Sequence, residues 1–299
     1  MSGVTPGGAR PPLSGRQQGQ IGVLTAGALL IWLGFWGLGK RPAALGPMDF
    51  VAGGNNALQF CDPNRPRFLP VATLSSPVTM GFSEGDPTRL TLATASGKPI
   101  GPDNLVPTAG APLWLFLVDR GLMTLRVVKP APGARPGEWT FESGMPAAGA
   151  FRVFADLSPA AVGRELYASA DWDRSGGGAE GLAPTNVDPT WHFEFCTVPA
   201  KTYARQPLQV ALQVRRADGG AFSVGTVGGA QGRLLAFDEA ASGLVNLHSV
   251  ETGAAPPSQA QAEMNFPVTF SDSGRYVLWA ELNLNGQTIY QRFALDVLP

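Results

Sequence analysis

Hydrophobic and polar positions along the chain fall into contrasting textures. Gln20–Gly39 (QIGVLTAGALLIWLGFWGLG) carries no charged residue. As a helix, Ile21 to Gly39 would run about 28 Å at ~1.5 Å per residue, close to the ~30 Å of a hydrocarbon core, which predicts a transmembrane helix over 20–39. Further on, short runs replace it: RLTLATA (89–95), PLWLFLVD (112–119), LMTLRVV (122–128), EWTFES (138–143) and AFRVFADL (150–157). Several alternate in period two, as Phe151, Val153 and Ala155 do against Arg152, Phe154 and Asp156, the pattern of strands with one buried face. After the break at Gly176–Gly178 and LAPTNVDP (182–189), a second set follows: TWHFEFCTV, PLQVALQVRR, GRLLAFD, GLVNLHSVE, FPVTF, GRYVLWAEL and QRFALDV.

The two sets match in order. Gly149–Leu157 (GAFRVFADL) parallels Gly274–Leu282 (GRYVLWAEL), Trp114–Asp119 parallels Arg233–Asp238, and Leu122–Arg126 parallels Leu244–His248. Such blocks indicate internal duplication. The expected fold class is mainly β: a single N-terminal transmembrane helix followed by two tandem immunoglobulin-like β-sandwich domains at 81–180 and 181–299. Between helix and sandwiches, 40–80 carries Pro42, Pro47, Pro63, Pro66, Pro70 and Pro77 and reads as an extended Pro-rich tether. Residues 1–19, Pro/Gly/Ser-rich without apolar periodicity, read as a cytoplasmic tail without structure of its own.

Composition refines this. With 38 Gly, 27 Pro, 15% charged residues and a net charge of −1, the chain suits a turn-rich β protein and implies neither nucleic acid nor an anionic membrane surface as partner. The apolar run exceeds the 7–15 residues usual in a secretory signal, and no clean A-x-A site closes it, so an uncleaved anchor is favoured over a signal peptide. Arg10 and Arg16 on one flank balance Lys40 and Arg41 on the other. The two cysteines of a β-rich domain favour an oxidising compartment, so the N-terminus is expected in the cytoplasm and the sandwiches in the periplasm of a bacterial inner membrane. Gly27, Ile31, Gly34 and Leu38 fall on one helix side and Trp32 and Trp36 nearly opposite; small residues suit close helix packing, and Trp also suits the interfacial belt.

Candidate chemistry is sparse. The chain has two histidines, His192 and His248. In W191-H-F-E-F-C196, alternation puts His192, Glu194 and Cys196 on one strand face, a metal half-site that His248 would complete if the strands adjoined. The rival partner for Cys196 is Cys61, because two cysteines in an exported chain usually pair; the long loop would give a bridge a stabilisation of about 4–5 kcal/mol, less strain. No G-x-S-x-G, P-loop or dinucleotide-binding glycine pattern accompanies them, so no enzyme, cofactor or small-molecule substrate is expected.

Over roughly 90–172 and 208–297, and most clearly at Gly149–Leu157 and Gly274–Leu282, the chain resembles the YtkA-like extracytoplasmic sandwich domains associated with copper and heavy-metal handling. The resemblance implies the sandwich fold. Where that family places F-x-H-x-H-P, this chain has Leu125-Arg-Val-Val-Lys-Pro130 and Val245-Asn-Leu-His-Ser249, and Arg and Lys are not ordinary metal ligands. The expected function is a non-catalytic, membrane-anchored structural or assembly subunit whose partners are other membrane-protein subunits, with a respiratory or photosynthetic assembly, such as a reaction centre with light-harvesting rings, the first host to test. The alternative is a periplasmic copper- or heavy-metal-handling protein.

Overall fold

In the computed structural model, the described residues are 15–38, 45–50, 66–145, 148–175, 188–251, 253, 255 and 258–299. Strands β1 (Val78–Ser83), β2 (Thr88–Thr94), β6 (Glu138–Phe141) and the short β5 (Ala131–Pro132) form one antiparallel sheet in the order β1-β2-β6-β5. Strands β3 (Leu113–Asp119), β4 (Leu125–Val128), β7 (Ala148–Leu157) and β8 (Leu166–Ser175) form a second, ordered β4-β3-β7-β8. Alternation sets their facing: Leu90 and Leu92 of one sheet and Leu113, Leu115, Leu117 and Val153 of the other share one core with Trp139, whose Nε1 donates to the Ile100 carbonyl at 3.0 Å.

The second half repeats this plan. β9 (Trp191–Val198), β10 (Pro207–Arg216) and β13 (Gln261–Thr269) pair in the order β13-β10-β9. β11 (Gly232–Asp238), β12 (Leu244–His248), β14 (Gly274–Leu284) and β15 (Gln287–Val297) pair as β12-β11-β14-β15. Val210, Leu212, Val214, Leu234, Phe266 and Leu278 fill the core between them. Apart from β5, each strand of the first half has a counterpart in the second, and the matched blocks become β3 with β11 and β7 with β14. One block shifts: Asp119 and Asp238 each bond the turn that follows, Thr124 N donating to Asp119 Oδ1 at 2.6 Å and Gly243 N to Asp238 Oδ1 at 2.8 Å. Leu122 and Ala241 both adopt left-handed backbone. Leu244 therefore corresponds to Leu125, three residues from the pairing the sequence suggested.

A third core lies between the sandwiches. The outer faces of β3, β7 and β8 offer Trp114, Phe116, Val118, Phe154 and Tyr167, and those of β11 and β14 offer Leu235, Phe237, Val277 and Trp279. Buried on both sides, β3 and β11 carry near-continuous apolar runs in place of alternation.

The Pro-rich segment is bound to the sandwiches wherever it is described, not a free tether. Phe50 is buried in the first core, and Asp49 pairs with Lys98 at 2.6 Å. Phe68 enters the second core, Leu69 bridges to Leu244, and Val71 enters the seam. Gly243 allows this: a Cβ there would overlap the Leu69 carbonyl and lie 2.7 Å from the Phe68 ring.

Residues 44–299 form one compact unit, and the N-terminal helix belongs to another. The helix α1 spans Gly15–Leu38. Among the described residues no helix is long and apolar enough to cross a membrane. The span expected over 20–39 therefore finds no support among the described residues; α1 starts before it and takes Arg16, Gln17, Gln18 and Gln20 into its first turns. Val23, Leu24, Leu29, Leu30, Ile31 and Trp32 are exposed, and a Cβ at Gly27 would meet nothing within 4 Å. Gly34 and Trp36 lie on this helix, but their side-chain surroundings fall outside the described residues. The expected tail at 1–19 lies outside them up to residue 14.

Candidate polar cavity at the seam between the sandwiches

At one end of the seam the apolar packing gives way to charge. Alternation along β11 and β14 points Arg233 and Glu281, cross-strand partners, out of the second core toward the first sandwich. Trp114 and Asp156 are the corresponding pair across β3 and β7. Arg233 is 1% exposed. Its Nη1 donates to Glu281 Oε2 at 3.0 Å, and its guanidinium lies 4.1 Å from the centre of the Trp114 ring. Lys129 Nζ lies 4.5 Å from the same ring. Trp114 Nε1 donates to the Thr108 carbonyl at 2.9 Å, and the Tyr290 hydroxyl donates to Glu281 Oε1 at 3.3 Å.

Two corresponding turns close this end. Thr108 and Ala111 exchange backbone hydrogen bonds at 2.9 and 3.1 Å, and Val227 and Ala230 do the same at 2.7 and 3.2 Å. They meet at Gly228, where φ is +62° and a Cβ would lie 3.0 Å from the Ala109 methyl and 3.1 Å from His248 Nε2. A side chain there would have to push these neighbours back by a few tenths of an ångström on a left-handed backbone, which glycine avoids on both counts.

A cavity of about 210 Å³ opens there, lined by Thr108, Ala109, Trp114, Asp156, Glu165, Gly228, Arg233, Asn246 and His248. A second, of about 240 Å³, shares Glu165, Asn246 and His248 as wall and reaches Arg67 and Val250. Asn246 Nδ2 donates to Asp156 Oδ2 at 2.9 Å across 90 residues of sequence. Asp156 Oδ1, Asn246 Oδ1, His248 Nε2 and Arg233 Nε are buried without a hydrogen-bond partner. Groups of this kind, brought together around a cavity, mark a candidate binding site.

Burial, reinforced by the nearby Glu165 charge, pushes the Asp156 carboxyl up to about 7. Burial also raises Glu165. Burial and then the Arg233 charge lower His248 to about 4, so its imidazole is neutral at pH 7. For Glu281, burial pushes the carboxyl up, and Arg233 pulls it partly back.

The Asp156 and His248 shifts have opposite consequences for stability. From its ordinary value of 3.8 up to about 7, Asp156 holds more protons folded than unfolded, so its contribution is full below that window and lost as pH rises through it. His248 contributes fully above its ordinary 6.5, and that contribution is lost as pH falls through about 4. Across their shared window the two slopes oppose each other. Asp156→Asn is therefore expected to leave stability rising more steeply with pH, and His248→Gln to leave it falling. Urea midpoints collected between about pH 4.5 and 6.5 check this; profiles parallel to wild type in both variants would show that neither group titrates in the fold.

The residues singled out from sequence are dispersed. His192, Glu194 and Cys196 do share the exposed face of β9, with His192 Nε2 3.7 Å from Glu194 Oε1 and Arg215 3.8 Å from the same oxygen. His248 lies on β12 in the other sheet, facing the seam. The alternative metal set His192, Cys196 and His248 is therefore not brought together, because a whole sandwich core separates the two faces. Among the described residues no group of three His, Cys, Asp or Glu is placed to hold a metal ion. Cys196 is exposed and unpaired among the described residues; its expected partner Cys61 lies outside them. Sequence reading missed Asp156, Asn246, Arg233 and Glu281. The available signal was a charged residue inside an apolar block, Asp156 in AFRVFADL and its counterpart Glu281 in RYVLWAEL.

No curated protein matches the chain. A family model described as a domain of unknown function (DUF8832) matches residues 193–298. That stretch is the second sandwich, from within β9 to just past β15, so the likeness takes in Arg233, Asn246, His248, Glu281 and Tyr290 on one side of the seam and leaves Trp114, Asp156 and Glu165 outside it.

Proposed function

We propose that this protein is a non-catalytic, membrane-anchored assembly subunit, in which two tandem immunoglobulin-like sandwiches stand on the periplasmic side of a larger membrane-protein complex. The observation that carries the reading is the surface of α1: Val23, Leu24, Leu29, Leu30, Ile31, Trp32 and Leu33 are exposed on successive faces, and the charge-free run continues to Gly39. A charge-free helical stretch that exposes apolar side chains on successive faces needs lipid or a protein partner to cover it. The three apolar cores downstream support the role by giving a stiff body. Gly27 has open space around it, room for a neighbouring helix to approach closely.

The test is extraction in several mild detergents, followed by sizing and identification of co-purifying chains. The expected result is a particle well above the monomer mass, with the partner lost on Gly27→Leu/Gly34→Leu while the melting of the sandwiches stays unchanged. Recovery in the soluble fraction, or a monomer without crosslinked neighbours in every detergent, would overturn the proposal.

A further inference from the structure

We propose that the cavity at the seam binds a small primary ammonium ion bearing a hydroxyl group, that is, an amino alcohol of a few heavy atoms. The polarity of the wall sets the charge of the ligand. Arg233 is engaged with Glu281 at 3.0 Å and stacked on Trp114, which Lys129 also approaches, so the cationic side is already matched. Asp156 and Glu165 form no ion pair with any described residue. Asp156 is 2% exposed, and of its two oxygens Asn246 holds only one.

The unpaired atoms set the pattern of hydrogen bonds. Asp156 Oδ1 and Asn246 Oδ1 are acceptors, and the neutral His248 presents Nε2 as a third in one tautomer. An ammonium group has three donors and no acceptor, which matches that set. Arg233 Nε is an unpaired donor, and a ligand hydroxyl oxygen would accept from it. A buried carboxylate with an open lone pair is a poor final state, and a cation beside it relieves both the missing bond and the missing charge.

Size sets the rest. The cavity of about 210 Å³ lies below the range of drug-sized pockets and suits a ligand of a few heavy atoms. The neighbouring cavity beside exposed Val250 and Arg67 gives a route past Glu165.

Calorimetric titration of the full chain in mild detergent tests the proposal, independently of any membrane partner. The probes are 4-amino-1-butanol, the neutral 1,4-butanediol, the anionic 4-hydroxybutyrate, and glycerophosphoethanolamine as a lipid-headgroup form of the amine. Saturable one-site binding is expected for the amino alcohol, at least tenfold weaker for the diol and absent for both phosphate- and carboxylate-bearing probes. Affinity should rise between about pH 6 and 8, because the ligand displaces the proton that burial favours on Asp156; Glu165, His248, Arg233, Glu281, Lys129, Tyr167, Tyr290 and, along the route, Arg67 are the other titratable groups around the site. Asp156→Asn and Glu165→Gln should each weaken binding at least tenfold with melting retained, and His192→Ala on the outer face of β9 should not. If Asp156→Asn does not fold, the half-buried Glu165→Gln carries the test. No saturable binding, equal binding of the diol, preference for the headgroup form, or wild-type affinity in the folded acidic-residue variants would each overturn the proposal and leave a cavity filled by water.

Discussion

Arg233→Met is expected to lower the stability of the double sandwich by about 3–5 kcal/mol, the usual cost of breaking a buried ion pair from one side. Arg233 and Glu281 are 1% and 7% exposed, and removing the guanidinium leaves the carboxylate only the Tyr290 hydroxyl as a hydrogen-bond donor among the described residues. It also strips the stacked cation from Trp114. The loss should be greater at high pH. Without Arg233, the burial that already pushes this carboxyl upward is opposed only by the Tyr290 hydrogen bond and the Lys129 charge, and the protonated form that tolerates burial is populated as pH falls. Arg233→Met/Glu281→Leu, which removes both charges and restores apolar volume, should regain most of the lost stability. Equal losses in the single and double variants, read from urea midpoints, would show that packing and not charge holds this end of the seam.

Phe237→Ala should cost about 3–5 kcal/mol, the range for emptying a buried aromatic site. Its ring is fully buried and lies 5.5 Å from Phe154 of the other sandwich. Because the seam joins the two halves, a cavity there weakens their connection as well as their cores. The expected calorimetric result is one transition for residues 44–299 in the wild-type chain and two resolved transitions in the variant. Trp279→Phe at the same seam should be far milder, since the indole Nε1 is buried without a partner and its removal leaves no new unsatisfied group. A single unshifted transition in Phe237→Ala would mean that the halves do not depend on each other.

The strands were largely legible in the chain, because alternation reports a local fact, namely which residues share a face. RLTLATA became β2, EWTFES became β6, and Gly149–Leu157 and Gly274–Leu282 became the corresponding strands β7 and β14. The duplication followed from the same blocks. β8, rich in Ala and Ser, was missed because small side chains weaken the apolar signal even where they are buried. The seam also left a trace in the uninterrupted runs LWLFLVD and GRLLAFD, which only strands covered on both faces tolerate. In the Pro-rich 40–80 segment, Pro punctuation hides Phe50 and Phe68, single apolar residues that plug distant cores.

By itself the sequence determined the β class, the two repeats and the apolar N-terminal helix segment, all of which depend on residues close together along the chain. The candidate site was decided by tertiary structure alone. Asp156 and Asn246 are separated by 90 positions, each on a strand that reads as half-exposed when taken singly. They meet because two sandwiches of the same plan pack sheet against sheet and turn the outer face of each into the inner face of the pair. His192 and His248, by contrast, share a residue type but lie on sheets whose outward faces point apart, and no spacing along the chain encodes that orientation.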